Sequence, residues 1–166
     1  MEIVKVYKQS VPAARFIGKK YGDTDRVDGG FGMQWGQWFE NSWFAPLEPL
    51  AADFEDGGAY IGLMRWKDGE PFEYYIGMFL KPDSAVPGGY ERVDFGESDI
   101  AVAWLKGPEN EVYCHEDEAA QACGKEGYIA AADGDGAFWF FERYACPRFT
   151  TPDDKGEIIL DVCHFI

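Results

Sequence analysis

The sequence predicts a single α+β domain made of two similar halves that are joined by a short loop. The chain has 166 residues, a length typical of one domain. The order strand, strand, helix, strand, strand occurs twice, and corresponding positions such as Val4 and Val93 are about 80 to 90 residues apart. A Pro- and Gly-rich stretch, 81–89, lies near the middle of the chain. These observations predict half-repeats at about 1–82 and 88–166, a pseudo-twofold axis, and a ligand cleft between two helices on one side of the sheet.

The strands are predicted from three kinds of signal. Residues 2–7 alternate apolar and polar side chains, which is the period of a half-buried strand. An Asp-Gly pair at 68–69, between two apolar runs, marks a hairpin turn. Clusters of Pro and Gly end the other runs. Together these signals predict strands at 2–7, 13–20, 59–66, 72–80, 90–95, 99–106, 137–145 and 157–166.

One helix is predicted in each half. In the first helix, Phe31 and Trp35 fall at helical spacing, and Thr24 or Asp25 is the expected N-cap. The glycines of this segment each disfavour a helix by up to ~1 kcal/mol, so aromatic packing on the sheet must hold it. In the second half, Pro108 is expected to open the helix, and the acidic residues that follow suit its positive N-terminus.

The charge of the chain limits its partners. Thirty acidic residues against fifteen basic ones give a formal charge of −15, which argues against direct nucleic-acid binding and against docking on an anionic membrane. The N-terminus has no apolar leader, and no run approaches the ~20 apolar residues of a membrane-spanning helix. We therefore expect a soluble, cytoplasmic protein whose partners are cationic or neutral.

The cysteines and short motifs predict neither a metal site nor a cofactor. The four cysteines form no C-x-x-C pair, and the two histidines are each adjacent to a cysteine, so within a strand the two side chains would point to opposite faces. We expect reduced, buried thiols. No phosphate-binding loop, serine-hydrolase elbow or zinc-protease motif occurs.

The strand predicted at 137–145 carries a charge pair among aromatic residues. Read with period two, Phe140, Glu142 and Tyr144 share one face, and Arg143 points to the other. On an inward face the carboxylate would be buried, which costs several kcal/mol or raises its pKa unless it meets a cation, a proton or a hydrogen-bond donor. Glu142 is therefore the predicted ligand-binding residue, or the catalytic one if the protein is an enzyme. The alternative is an edge strand on which Glu142 faces water.

Aromatic side chains are the predicted walls around this carboxylate. They make up 17% of the chain, and such rings line pockets as well as fill cores. Core packing is the alternative role for each of them. A carboxylate among rings favours cationic or planar aromatic ligands, through charge pairing, stacking and cation–π contacts of ~0.5 to 2 kcal/mol each. The ring candidates are Trp35, Trp38, Tyr60, Trp66, Tyr75, Trp104 and Tyr144.

Four segments of the chain resemble the GyrI-like effector-binding domain: PAARFIGKKYG, GGYERVDFGESDIAVAWLKG, FFERY and GEIILDVCHFI. The resemblance implies a duplicated SH2-like β-α-β-β fold of the Rob/GyrI type, with a ligand pocket on its pseudo-twofold axis. It also implies a pocket glutamate on the FFERY strand, where Glu142 stands. In bacterial transcription regulators this domain often follows a helix-turn-helix, and none precedes Met1, so we expect a standalone sensor domain without direct DNA contact.

Three functions stay open on the sequence alone. The first is a module that binds cationic or planar aromatic small molecules, for sensing or sequestration of a drug, toxin or metabolite. The second is a small hydrolase of reactive cyclopropane-type compounds, as the resemblance implies, with Glu142 as the general base on water and a raised pKa. The third is an acidic protein-interaction module, because one namesake of the resembled family inhibits DNA gyrase.

Overall fold

The computed structural model describes residues 1–166 as one antiparallel sheet of eight strands with two α-helices. The strand order across the sheet is β1-β6-β8-β7-β3-β4-β2-β5. Neither helix is long or apolar enough to cross a membrane. The strands are β1 (Glu2–Val11), β2 (Ala14–Gly22), β3 (Tyr60–Trp66), β4 (Glu73–Leu80), β5 (Glu91–Phe95), β6 (Ser98–Gly107), β7 (Phe138–Tyr144) and β8 (Ile158–Phe165), and the helices are α1 (Gly32–Glu40) and α2 (Glu116–Lys125).

The strand order contains the predicted duplication. If each strand of β1–β4 is replaced by its counterpart in β5–β8, and the reverse, the strand order reads the same from the opposite edge of the sheet. The third strands of the two halves, β3 and β7, are neighbours at the centre, where Leu63 lies opposite Phe141. The first strand of each half pairs with the second strand of the other half, β1 with β6 and β5 with β2. The α+β fold with two β-α-β-β units is confirmed, whereas the exact limits of the half-repeats stay a prediction.

Both helices pack on the same face of the sheet, at opposite ends. The α1 side chain Trp38 packs with Ile17 and Ile76, which lie on β2 and β4. On the other side of the centre, Ala119 and Cys123 of α2 pack with alternate residues of β6 and β8. The strands beneath the space between the helices are β3 and β7. An open region is therefore left over the central strands.

No helix packs on the opposite face of the sheet. The sheet curves, so that side chains from distant strands on this face pack against each other. Alternate residues of the strands, including Phe79 and Phe141, form a separate apolar cluster on this face. Phe95, on the edge strand β5, stacks on Phe165 of β8 with ring centroids 4.8 Å apart. Because these strands are far apart in the sheet order, the sheet must curl enough to bring the two ends of this one face together.

A buried ion network lies within this second cluster, directly behind the site described below. Asp161 is 0% exposed and lies 2.8 Å from the guanidinium of Arg143. Arg148 bonds both Asp161 and, at 2.6 Å, Asp56. Arg143 also donates to the side chain of Gln9 at 2.9 Å. The network thus supplies the hydrogen-bond and ion-pair partners of Arg143 on this face, so Arg143 does not pair with Glu142, its neighbour in sequence.

The helix starts differ from the sequence prediction. Thr24 and Asp25 are wrong as N-caps of the first helix, because residues 23–25 form a single 3-10 turn and α1 begins only at Gly32. Between them Gly29 has φ +82°, a left-handed conformation that interrupts a helix. In the second half Pro108 precedes another 3-10 turn, and α2 begins at Glu116.

Candidate functional site

A cavity of about 1010 Å³ lies between α1 and α2, over the centre of the sheet. Its floor comes from β3, β4 and β7, whose register places side chains in rows. Met64 on β3 lies opposite both Tyr74 of β4 and Phe140 of β7, and all three line the cavity. In the adjacent row, Gly62 lies opposite Glu142. The pairing of central strands thus brings rings from both halves and one carboxylate to the same surface.

Gly62 makes room for the polar groups of the floor. A Cβ atom at this position would lie 2.5 Å from the hydroxyl oxygen of Tyr74 and 3.5 Å from Oε2 of Glu142. A side chain on Gly62 would push the tyrosine hydroxyl away from the carboxylate. The missing side chain therefore lets groups from β4 and β7 approach each other across β3.

Glu142 is a buried carboxylate with one hydrogen bond. Its residue is 6% exposed, and Oε2 accepts a hydrogen bond of 2.7 Å from the hydroxyl of Tyr144. Burial raises the pKa of Glu142 to about 7, the negative charge of Glu116 adds to this, and the bond from Tyr144 opposes it. No cationic side chain contributes to the pKa of Glu142. The carboxylate is therefore poised between its neutral and charged forms near neutral pH.

Two tyrosines and a tryptophan order the floor around Glu142. Burial raises the pKa of Tyr74 and of Tyr144 well above the ordinary value, and the charge of Glu142 adds to both shifts. Their hydroxyls therefore remain protonated and can donate hydrogen bonds. The indole nitrogen of Trp35 donates to the Tyr74 hydroxyl at 2.9 Å, and its ring meets Tyr144 edge-on at 4.7 Å. This arrangement fixes Trp35 on the α1 wall.

Further rings close the cavity on the side of the first half. Phe31 stacks on Tyr74 with centroids 4.1 Å apart and planes 6° from parallel. Tyr60 stacks on Phe44 at 3.7 Å, and its hydroxyl donates to Glu48. Stacked rings of this kind are stiff, so the wall presents a fixed apolar surface to a ligand.

Acidic residues dominate the charge of the cavity. Six carboxylates line it, five of them from the second half of the chain: Glu48, Glu109, Glu116, Asp117, Glu118 and Glu142. Arg26 is the single basic residue of the lining. Its guanidinium is bonded to Asp23 at 2.9 Å and lies 4.6 Å from the centre of the Phe31 ring. Because Arg26 is already paired, the cavity is a strongly negative environment.

Four residues predicted for the site line the cavity: Glu142, Trp35, Tyr60 and Tyr144. Their position agrees with a role in ligand binding, which stays a prediction. Strand period two placed Glu142 and Tyr144 on one face with Phe140, and that face is the one that the helices cover.

The other four predicted rings do not line the cavity. Trp38 is 0% exposed in the core under α1, where its indole nitrogen donates to the Tyr21 hydroxyl at 3.1 Å. Tyr75 and Trp104 belong to the cluster on the opposite face of the sheet, since they alternate with residues that face the helices. Trp66 is 48% exposed at the end of β3, beside Phe138.

Several lining residues were not predicted from the sequence. Tyr74 and Phe140 could have been found from strand register, because both lie opposite Met64. Cys114 and Cys146 are exposed and line the cavity, so the expectation of buried thiols is wrong for them, and holds for Cys123 and Cys163. No group of three or more His, Cys, Asp or Glu side chains is placed to hold a metal ion. The other unpredicted residues of the lining include Phe31, Phe39, Phe72, Tyr113, Glu116 and Phe149.

Solved structures share this fold at low sequence identity. A Staphylococcus aureus protein assigned to bacterial transcription regulation superposes with a TM-score of 0.65 and 15% identity over 97% of both chains. The structure of SAV2435 bound to tetraphenylphosphonium gives a TM-score of 0.68 and 16% identity, covering 98% of this chain and 93% of that one. EcmrR, in a DNA complex, gives 0.56 and 11%, covering 96% of this chain and 56% of that one.

Sequence comparison adds no assignment, because no protein-family model and no curated protein sequence matches the chain. The structural matches show the fold alone, and it is the fold that the sequence resemblance implies.

Proposed function

We propose that the protein binds lipophilic organic cations that carry planar or aromatic groups, for sensing or sequestration. The observation that carries the proposal is Glu142, a buried carboxylate without a cationic partner, on the floor of an aromatic cavity. A bound cation would supply the missing partner and recover part of the free energy that burial of the charge costs. The proposal accounts for a carboxylate that would otherwise only destabilise the fold.

The size and walls of the cavity support the same ligand class. A volume of about 1010 Å³ accommodates a drug-sized molecule. The rings of Trp35, Tyr60 and Tyr74 offer stacking and cation–π contacts, each worth ~0.5 to 2 kcal/mol. The surrounding carboxylates would repel an anion of the same shape. The tetraphenylphosphonium bound to SAV2435, a protein of the same fold, is a ligand of this class.

The test compares tetraphenylphosphonium with tetraphenylborate, two ions of nearly equal shape and opposite charge. Each is titrated into the protein at pH 8, and binding is measured by calorimetry and by quenching of tryptophan fluorescence. We expect saturable binding of the phosphonium and none of the borate. Equal binding of both ions would show that the cavity recognises only apolar shape, which contradicts the proposal.

Glu142→Gln keeps the shape of the side chain and removes its charge. Phosphonium binding should weaken by about 1 to 3 kcal/mol, while the variant remains folded. The control is Glu97→Gln, which removes one charge from an exposed position outside the cavity and should leave the affinity unchanged. An unchanged affinity in Glu142→Gln, or an equal loss in both variants, would refute the role of Glu142.

Hydrolysis of a small electrophilic compound is a second candidate, and the pKa of Glu142 favours it. A carboxylate with a pKa of about 7 can accept a proton from water near neutral pH while the water oxygen attacks the substrate. Once Glu142 has taken up the proton, the hydroxyl of Tyr144 no longer needs to donate to that carboxylate, 2.7 Å away, and its hydrogen can turn to the developing negative charge of the substrate.

The same variant separates the two candidates. In a hydrolase, Glu142→Gln should reduce turnover by about a hundredfold or more and leave substrate affinity nearly unchanged. In a binding module the affinity falls and no turnover exists to lose. Incubating strained three-membered-ring compounds with the native protein, with product detection by mass spectrometry, tests for the activity directly.

A further inference from the structure

Buried acidic residues are treated differently on the two faces of the sheet. On the face opposite the helices, Asp161 meets two arginines and Asp56 is paired with Arg148 at 2.6 Å. In the cavity, Glu142 and Glu116 make no salt bridge, and no basic side chain raises or lowers the pKa of Glu142. The acidic residues that no ligand can reach are thus paired with arginines. Two acidic residues that line the cavity, where a ligand can reach them, are left without a salt bridge.

Glu116 faces the same space as Glu142. It is the first residue of α2, it is half-buried, and it lines the cavity. Its charge raises the pKa of Glu142 and also contributes to the raised pKa values of Tyr74 and Cys114, which line the cavity as well. Glu116 therefore lies on the α2 wall of the cavity whose floor carries Glu142 and Tyr74.

The position of Glu116 at the N-terminus of α2 does not explain the pKa of its carboxyl group. An acid at such a position is ordinarily stabilised in its charged form by the helix dipole. The exposed Glu118 in the same turn follows this rule, since its pKa is lowered by its backbone hydrogen bond and by His115. The pKa of Glu116 is raised instead, mainly by burial. Burial outweighs the backbone hydrogen bond and the nearby His115, which both lower this pKa, and like Glu142 the carboxylate of Glu116 makes no salt bridge with an arginine or lysine.

We propose that the cavity is built for dications that carry an aromatic body, with one positive centre at Glu142 on the floor and a second at Glu116 on the α2 wall. The inference rests on the proposed function, because it names the ligand class of the same cavity. Two separated carboxylates match two separated charges, and the rings of Trp35 and Phe140 match the aromatic body of the ligand.

The test uses ethidium and propidium, which share one phenanthridinium ring system. Propidium carries a second, quaternary ammonium on a propyl chain, so the pair differs mainly in the number of positive charges. Dye fluorescence is titrated with the protein at pH 8 and at physiological salt, where long-range attraction is screened. We expect propidium to bind about tenfold more tightly than ethidium.

Glu116→Gln should remove this advantage. The variant is expected to weaken propidium binding about tenfold and ethidium binding less than about twofold, whereas Glu142→Gln weakens both dyes. The control is Glu126→Gln, which removes one exposed charge from the far end of the same helix and should preserve the advantage.

Three results would overturn the inference. Equal affinity of the native protein for the two dyes, with both binding, would refute the second charge site and leave the proposed function standing. An equal loss of propidium affinity in Glu116→Gln and Glu126→Gln would assign the effect to overall charge. Failure of both dyes and of tetraphenylphosphonium to bind would refute the proposed function itself.

Discussion

Removal of the Glu142 charge is expected to stabilise the empty protein, by an amount that depends on pH. The pKa of Glu142 is raised from 4.5 to about 7, so the folded protein holds a proton that the unfolded chain has already lost within this window. The native protein therefore loses stability, relative to Glu142→Gln, as the pH rises from 4.5 to 7. At about 1.4 kcal/mol per unit of pKa, the difference reaches roughly 3 kcal/mol above pH 7 and is near zero below pH 4.5.

Urea unfolding followed by tryptophan fluorescence measures this difference directly. The free energies of unfolding of the native protein, Glu142→Gln and the exposed-site control Glu97→Gln are compared at pH 4.5, 6 and 8. We expect the advantage of Glu142→Gln to grow with pH and that of Glu97→Gln to stay flat. A pH-independent difference, or a less stable Glu142→Gln at pH 8, would refute the assignment of the shift to burial without a cation.

A bound cation should reverse the same effect. Tetraphenylphosphonium favours the charged carboxylate, so its binding lowers the pKa of Glu142 and releases a proton near pH 7. Calorimetric titrations in buffers of different ionisation enthalpy report this proton. Its release should disappear in Glu142→Gln, and proton uptake by the native protein would contradict the mechanism.

Three further outcomes are expected. Tyr144→Phe removes the hydrogen bond that lowers the pKa of Glu142, so the pH midpoint of phosphonium binding should rise by about one unit, and an unmoved midpoint would count against that bond. Asp161→Asn leaves the buried Arg143 and the half-buried Arg148 without their shared carboxylate and should cost roughly 3 to 5 kcal/mol in urea unfolding; a loss below about 1 kcal/mol would show that the network is dispensable. Gly36→Ala adds a Cβ that meets nothing within 4 Å, so it should raise the thermal midpoint of unfolding. Gly18→Ala adds a Cβ that would lie 2.1 Å from a backbone oxygen, so it should lower that midpoint, and the opposite order of the two variants would contradict this reasoning.

The sequence predicted most of the strands because their periodicity and turns are local properties. The Asp-Gly turn at 68–69 joins β3 to β4, and the alternation around Glu142 identified the face that the carboxylate shares with Phe140. The repeated order of elements also predicted the symmetric sheet. In each case the signal lies within a few residues or in the comparison of two segments.

The choice of cavity rings could not be made on such signals. β4 is apolar on both faces, so period two separates Tyr74 from Tyr75 but does not say which of them meets the helices. That depends on which face α1 covers, a tertiary property. The start of α1 failed for a related reason, because cap preferences cannot show that a left-handed glycine at position 29 interrupts the segment.

The two halves of the sheet are equivalent in backbone but not in chemistry. Met64 is the fifth residue of β3, and Glu142 is the fifth residue of β7, so an apolar side chain in one half corresponds to a carboxylate in the other. Five of the six carboxylates of the cavity also come from the second half. A cavity with two identical halves would accept an elongated ligand in either of two opposite directions with equal free energy. Here one direction brings the charged groups of the ligand to the carboxylates and the other brings them to Met64 and the stacked rings. We therefore expect a bound ligand to lie in one direction, so that a bound chromophore gives a single induced circular-dichroism signal rather than the average of two poses.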